Sequence, residues 1–377
     1  MRSRAPRVCL IGTVLDQPLG GVRRHNAELI ARVAPRLVEA GGSLTVLSGR
    51  GGLALELPPR VAEIKTRVPS APVRARAWSE PRALAAALDA ARRAGLPFDV
   101  VHTAHLQVPG ERALGGTPLV TLLHDLRQLD PLRVGRLRAL AGHRLYARAA
   151  AGSTRLATVS EQVRATLERR YPAARGKTVV IPNAADHLAR PSALPPPVRG
   201  LAPGYLLHVG HLEARKNLGL LLEALALDVE LPDLVLAGTG HAAARLEAKA
   251  RTLGVSERLH LLGRVDDASL PALYLHAACV VVPSHLEGFG LAAEEARQLG
   301  VRLAVADRGA LPEVAGETAP RFDPHDARGA ADAIRRALAG PEPSPSGRSW
   351  AASAERLLKL WRDAADEHDD GAHRSLP

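Results

Sequence analysis

One fourteen-residue stretch constrains this chain more than any other: Pro283-Ser284-His285-Leu286-Glu287-Gly288-Phe289-Gly290-Leu291-Ala292-Ala293-Glu294-Glu295-Ala296. The run before it, Cys279-Val280-Val281-Val282, is short, apolar and β-branched, the pattern of a buried strand. Pro283 and Ser284 end that strand. Gly288 and Gly290 have no Cβ, so the backbone there can approach another group closely. From Leu291 the spacing turns helical, with Leu291, Glu295 and Leu299 on one face. A carboxyl group between two leucines is costly to bury unless it is paired or meets a ligand. Glu294, its neighbour, points elsewhere and is expected to be solvated. A strand, a glycine turn and a helix start therefore hold Glu287 and Glu295 eight positions apart. Backbone N–H groups exposed at such a turn suit an anionic or polyhydroxylic ligand.

A chain of 377 residues is long for one core and comfortable for two domains. Aromatic residues are 3% of it, so the cores must be built from Leu, Val and Ala. Cys9 and Cys279 both sit in apolar, strand-like runs and read as small buried hydrophobes rather than a disulfide or metal site. Val8 to Ile11 is too short for a signal-peptide core, and no run approaches the roughly 20 apolar residues of a spanning helix. A cytoplasmic setting is expected. The net charge of +11 is uneven: residues 1–195 carry 30 Lys+Arg against 14 Asp+Glu, a surplus of +16, and the remainder carries 20 against 25, or −5. The first half is thus suited to something anionic.

Arg7 to Gly12 reads as a first strand, followed by a loop holding Gly20-Gly21, a helix over Val22 to Val38 and a strand over Leu44 to Leu47. This is a βαβ opening. Pro35 is expected to kink or shorten the helix. Gly20-Gly21 lacks full dinucleotide spacing and is weak as a phosphate cradle. Residues 51–80 read as an irregular surface segment, residues 82–94 as a helix. Strands follow at Asp99–His102 and Leu119–Leu123, the second ending in His124-Asp125, a polar pair where an open α/β sheet has its ligand crevice. Residues 132–150 form a basic helical run, with Arg133, Arg136, Arg138, Arg144 and Arg148. Leu156–Val159 and Val179–Ile181 are further strands. Pro191 to Pro203 holds five prolines and one glycine and reads as a linker.

The second half opens with a strand over Tyr205 to Val209, then Gly210 and the basic pair Arg215-Lys216. Asn217 is the expected N-cap of a helix over Leu218 to Leu227. Two cations beside a helix start favour an anion such as a pyrophosphate. Further strands are expected at Leu234–Ala237, Leu259–Leu262 and Val301–Ala306. Gly238 follows the first of these, Arg264-Val265 the second. Residues 327–339 read as a helix. Ser349-Trp350 to about Ala365 is a final amphipathic helix, and the tail from Asp366 reads as disordered.

Glu-Gly-Phe-Gly-Leu with a second Glu, seven residues intervening between the two, resembles the donor-site signature of retaining GT-B glycosyltransferases of family 4, leaning towards bacterial mannosyltransferase-like members. The resemblance runs from the first strand to the final helix. It implies an α/β fold of two doubly wound Rossmann-like domains facing across a cleft, with the C-terminal helix crossing back to the first. The corresponding boundaries are 1–190 for an acceptor-side domain, 191–203 for a linker and 204–345 for the nucleotide-sugar-binding domain. The crossover helix is 349–365 and the disordered tail 366–377.

The resemblance also implies roles. Arg215 and Lys216 would neutralise the leaving diphosphate, and Glu287 with the N–H groups of Gly288, Phe289 and Gly290 would grip sugar hydroxyls. Glu295 would bind the ribose. His124 would face the donor sugar, and Gly20 and Gly21 would lie near the donor phosphate and acceptor. Arg264 and Val265 would hold the base, and Gly210, Gly238, Ser284 and Leu291 complete the donor set. Ala184 stands where the family usually has Gly, which leaves that local backbone conformation open.

The implied reaction moves a hexose, with mannose slightly favoured, from a GDP- or UDP-linked donor to a hydroxyl on a glycan or lipid-linked acceptor, in bacterial glycan or polysaccharide synthesis. No Asp-x-Asp motif stands in a suitable loop, so neither a metal nor any other cofactor is expected. No nucleic-acid module is visible. The basic first half points to peripheral contact with an anionic membrane, at its cytoplasmic face. A nucleotide-sugar 2-epimerase shares this architecture, and a non-catalytic nucleotide-sugar-binding protein is a further reading. The Glu287/Glu295 signature argues against the first, and the intact set Arg215, Lys216, Glu287 and Glu295 against the second.

Overall fold

The structure, a computed structural model, describes residues 5–16, 20–103, 105–129, 135–188, 193–196 and 200–374. The chain divides into two compact units, one formed by Met1–Pro182 with Trp350–Pro377, the other by Asn183–Ser349. The division falls ahead of the 191–203 stretch expected as linker, part of which lies outside the described residues.

The first unit is built on a seven-stranded sheet: β1 (Arg7–Ile11), β2 (Ser43–Ser48), β3 (Ala62–Lys65), β4 (Val100–Thr103), β5 (Leu119–Leu123), β6 (Arg155–Thr158) and β7 (Thr178–Val180). All its ladders are parallel, in the order β3-β2-β1-β4-β5-β6-β7. Parallel strands require crossover connections and bury both faces. The sequence complies: Val8, Cys9, Leu10 and Ile11 of β1 are all buried. Cys9 and Ile11 pack with Leu84 and Leu88 of the helix Val73–Arg93 and with Val101. Each such Leu side chain contributes about 1.5–3 kcal/mol of burial. The sequence pattern misses β3, whose Ala62-Glu63-Ile64-Lys65 is half-exposed at the sheet edge and shows no apolar run. The helix after it starts at Val73, inside the stretch expected to be irregular.

Pro35 does not end its helix, which runs Gly21–Glu39. The hydrogen bond lost at Pro35 is offset by burial of Leu29, Ile30, Val33 and Leu37 on one face. The last helix runs Trp350–Arg374, past the expected end at Ala365, and Arg155 pairs with Glu367 in the segment expected to be disordered. This helix belongs to the first unit. Trp350 and Trp361 are fully buried, Ser353 Oγ donates to Pro182 O at 2.7 Å, and Trp361 Nε1 donates to His102 Nδ1 at 3.3 Å.

The second unit holds a six-stranded sheet: β8 (Tyr205–Val209), β9 (Leu234–Ala237), β10 (Leu259–Gly263), β11 (Ala277–Val282), β12 (Leu303–Ala306) and β13 (Arg321–Phe322). It too is parallel throughout, ordered β10-β9-β8-β11-β12-β13. In both sheets the order reverses beside the unit's first strand, between β1 and β4 and between β8 and β11. Such a switch point is where open α/β sheets place a ligand, outside the carboxyl ends of the strands.

Candidate active site

The second switch point gathers the residues singled out in the sequence. Beyond β8, a single 3-10 turn, Ala214–Lys216, carries the two cations. Beyond β11, the chain delivers Ser284 and Glu287, both buried. Arg215 donates from Nη1 to Glu287 Oε2 at 2.9 Å and to Leu286 O at 3.0 Å. Lys216 Nζ donates to Glu287 Oε1 at 2.7 Å, and Ser284 Oγ donates to that same oxygen at 2.7 Å. Burial alone would push the Glu287 carboxyl up; the charges of Lys216 and Arg215 outweigh it and hold the group at about 2. Arg215 loses some of its own basicity to burial but gains more from Glu287 and Glu213, so its guanidinium is held above its ordinary value.

Asn217 is not the cap of the next helix. That helix is Gly219–Leu227, with Leu218 before it, and Asn217 closes the 3-10 turn in a left-handed conformation at φ 55°. Its side-chain amide donates to Pro283 O and Pro324 O, tying the basic turn to the strand that carries Ser284 and Glu287. Asn tolerates this conformation better than most residues, which suits it to the place.

Two glycines make the approach possible. A Cβ on Gly238 would lie 1.9 Å from Gly210 O, so the ends of β9 and β8 can pass only if position 238 has none. Gly290, at φ 98°, starts the helix Leu291–Leu299, and a Cβ there would meet Leu311 at 2.6 Å. Gly288 and Phe289 are buried and Leu291 is half-buried. Arg264 is exposed and Val265 half-buried, in the loop beyond β10.

Glu295 lies in a different environment. Tyr274 Oη donates to its Oε2 at 2.5 Å, and His187 Nε2 lies 3.6 Å from Oε1. Burial, then the Glu295 charge, push the Tyr274 phenol well above its ordinary value, so it remains a donor. Glu294 is not solvated as expected. It is fully buried, accepting from Ser346 Oγ and from Arg348 Nη1 at 2.7 Å, and the Arg348 guanidinium sits over the Phe289 ring at 5.6 Å. The helix phase was read correctly for Glu295, but the segment that returns to cover Glu294 is more than fifty residues on, as the separation of 54 positions to Arg348 shows.

In the first unit, Gly20 and Gly21 stand at the start of the helix Gly21–Glu39, Gly20 at φ 113°. His124 follows β5, with its ring edge-on to His25 at 5.0 Å, and His25 is edge-on to Trp350 at 5.8 Å. Burial, then the neighbouring His25, His102 and Arg127, hold His124 well below its ordinary value. Burial and His25 hold His102 at about 3.

His208, on β8, was missed by sequence reasoning. It is buried with Nδ1 3.0 Å from Val281 O, and burial followed by the Lys216 charge holds it at about 4. Glu213 was missed as well, although its place two residues before Arg215 was a usable signal; it accepts from Arg215 Nη2 at 2.6 Å. Tyr274 carries no local signal, since only packing of the helix Leu270–Leu275 brings it to Glu295.

Two parallel Rossmann-like units, with a basic pair and a carboxyl at the switch point of the second, define a GT-B glycosyltransferase. The chain belongs to glycosyltransferase family 4: residues 19–187 match the family described as Glycosyltransferase Family 4, and residues 198–356 match Glycosyl transferases group 1. It is 30% identical over 413 residues to D-inositol 3-phosphate glycosyltransferase of Geodermatophilus obscurus, covering 96% of this chain and 90% of that one. It is 35% identical over 180 residues to O-antigen chain mannosyltransferase B of Escherichia coli, a match spanning 45% of this chain and 47% of the relative. Among solved structures, sucrose-phosphate synthase of Thermosynechococcus elongatus superposes with a TM-score of 0.70 at 21% identity, covering 96% of this chain and 94% of that one. Anabaena Alr3699/HepE in complex with UDP superposes with a TM-score of 0.62 at 17% identity, covering 98% of this chain and 100% of that one. Among the described residues no helix is long and apolar enough to cross a membrane, and no group of three or more His, Cys, Asp and Glu is placed to hold a metal ion.

Proposed function

We propose that this glycosyltransferase moves a hexose, with mannose slightly favoured, from a GDP- or UDP-linked donor to a hydroxyl on a glycan or lipid-linked acceptor, with retention of anomeric configuration. The observation that carries the reading is the ion cluster of Arg215, Lys216 and Glu287 at the second switch point. Arg215 and Lys216 pair with the buried Glu287, and Arg215 also with the half-buried Glu213, beside the turn that opens the helix Gly219–Leu227. A diphosphate can exchange with these carboxyl partners, and its charge grows as the sugar departs. Cations fixed in a shielded site stabilise that change more than they stabilise the ground state. Leaving-group neutralisation is thereby a task for Arg215 and Lys216, and no metal or other cofactor is invoked. Glu287, fixed by both cations and by Ser284, presents its carboxyl for sugar hydroxyls, with the N–H groups of Gly288, Phe289 and Gly290 beside it. Glu295 takes the ribose hydroxyls, held by Tyr274. The acceptor attacks the face the diphosphate leaves, and a diphosphate oxygen takes its proton.

The donor is tested by incubating the protein with GDP-mannose, UDP-glucose and UDP-galactose, measuring nucleoside diphosphate release and following the product anomer by NMR. Release from none of them, or an inverted product, overturns this reading.

A second part of the proposal concerns the acceptor side, which we place on the first unit, in peripheral contact with an anionic membrane at its cytoplasmic face. Its support is the helix Arg136–Gly152, where Leu137 and Leu140 stand 84% and 53% exposed among the exposed Arg136, Arg138 and Arg144. Exposed leucines set among arginines fit the boundary of an anionic bilayer, where each cation contributes about 1 kcal/mol. Arg133, part of the same basic run, lies outside the described residues.

A further inference from the structure

His208 stands near the end of β8, just ahead of the loop that carries the basic pair. Its ring is fully buried, and Nδ1 stands 3.0 Å from Val281 O on the neighbouring β11. A carbonyl oxygen can only accept, so the proton of the neutral ring sits on Nδ1 and Nε2 is left as a bare acceptor. Burial, then the Lys216 charge, keep the ring in that neutral form. Among the described residues Nε2 has no hydrogen-bond partner. Buried polar atoms in native structures are almost always satisfied by protein, water or ligand, so a bare acceptor beside a charged cluster marks a place for a donor.

Gly210 shows which donor is at hand. A Cβ at Gly210 would lie 3.5 Å from His208 Nε2 and 3.7 Å from both Cε and Nζ of Lys216. The glycine therefore leaves a gap that the imidazole acceptor and the ammonium both border. The ammonium carries three N–H groups on a flexible stem, and one of them goes to Glu287 Oε1 at 2.7 Å. A diphosphate entering the site competes with Glu287 for that ammonium, and an N–H redirected across the gap meets Nε2. A carboxylate in place of His208 would hold the lysine too, but would cancel the charge that the leaving group needs. A neutral ring acceptor directs the ammonium and leaves its charge intact.

We infer that His208 is a positioning residue for leaving-group departure: its Nε2 takes one N–H of Lys216 across the gap at Gly210 and so aims the ammonium at the diphosphate. The inference rests on the reading that Arg215 and Lys216 meet the donor diphosphate, and adds to it a residue that acts only through another.

The test uses nitrogen NMR on the full chain, isotope-labelled at its histidines, with UDP and GDP as probes. The Nε2 resonance of His208, assigned by its loss in His208→Gln, is expected to move towards the hydrogen-bonded range when a nucleotide saturates the protein. In Lys216→Ala it is expected to stay where it is. Kinetics with the donor that wild type turns over supply the second readout. His208→Phe is expected to lower kcat about tenfold while KM for the donor stays within about twofold. His208→Gln, which returns an acceptor near the place of Nε2, is expected to regain about a third of wild-type kcat or more. In a Lys216→Ala background His208→Phe is expected to cost less than about twofold, because the residue it acts through is gone. Circular dichroism establishes that each variant is folded, and should His208→Phe fail to fold, His208→Leu is judged by the same criteria. A bound nucleotide that leaves Nε2 unmoved overturns the inference alone. So does a folded His208→Phe with wild-type kcat, or a loss as large without Lys216 as with it. If neither nucleotide binds, the donor reading falls and the inference falls with it.

Discussion

In the second unit, the loops beyond β8 and β11 bring Arg215, Lys216 and Ser284 onto one carboxyl, Glu287, with every contact between 2.7 and 2.9 Å. In the first, the loops beyond β1 and β4 bring Thr13 and His105 to Glu80 of the helix Val73–Arg93. The strand orders around the two places correspond, so sheet topology explains why each unit has a site there. It does not explain what each site takes. The charged cluster can exchange its internal ion pairs for those of a diphosphate, and its Arg215 Nε is buried without a hydrogen-bond partner. The scaffold supplies the position and the loops supply the chemistry.

The largest effect expected on the second site is catalytic. Arg215→Ala or Lys216→Ala should lower kcat/KM by about 2–4 kcal/mol of transition-state stabilisation, while the fold survives because each variant leaves Glu287 the other cation and Ser284. Steady-state kinetics with the best donor checks this, and wild-type turnover in both variants would remove the contrast between the sites. Next comes a change that should act on stability. Glu294→Ala leaves Arg348 without its carboxyl partner, and because Arg348 is 22% exposed the loss should be about 2–3 kcal/mol, below the range for a fully buried pair. Urea unfolding measures it. A loss confined to kcat with unchanged stability would instead make Glu294 part of the site.

Acidification should separate the two units. His102 is held at about 3, His124 well below 6.5 and His208 at about 4, all depressed chiefly by burial. In the unfolded chain each takes a proton near 6.5, so the unfolded state binds more protons below that pH. The stability these histidines contribute is therefore complete above 6.5 and falls as pH drops towards the folded values. The slope is about 1.4 kcal/mol per pH unit for each histidine. Of these three histidines two lie in the first unit and one in the second, and on their contribution the first should weaken about twice as steeply between about pH 6.5 and 4. All three tryptophans, Trp78, Trp350 and Trp361, lie in the first unit, so their fluorescence reports on it selectively. Fluorescence and circular dichroism transitions that shift together on acidification would contradict the expected difference.

The smallest effect concerns surface chemistry. Leu137→Asp should weaken sedimentation with anionic vesicles by about 1–2 kcal/mol, without altering sedimentation with neutral ones. Equal binding to both vesicle types at low salt would remove the membrane from the proposal.

The strands of both sheets were legible where they are continuous apolar runs, as in Val280-Val281-Val282, because burial on both faces leaves no polar position. β3 and β13 were not: one is a half-exposed edge and the other is two residues long. The basic pair and Glu287 were legible because the glycines around them announce a close approach. Their mutual contact was not, since 72 positions separate Arg215 from Glu287 and only the sheet brings β8 beside β11. The Glu80 cluster gave no sequence signal at all: Thr13, Glu80 and His105 stand on three separate connections, and Glu80 reads as one more polar residue ahead of a helix.

The helix Trp350–Arg374 has a consequence for how the molecule comes into being. Its tryptophans fill the interior of the first unit, yet it is made after the whole of the second. Synthesis from the N-terminus therefore delivers every strand of the first unit early and its closing helix late. The second unit, continuous from Asn183 to Ser349, can complete itself on the ribosome while the first still waits with an open apolar face. In the order of folding, the unit that begins the chain finishes last.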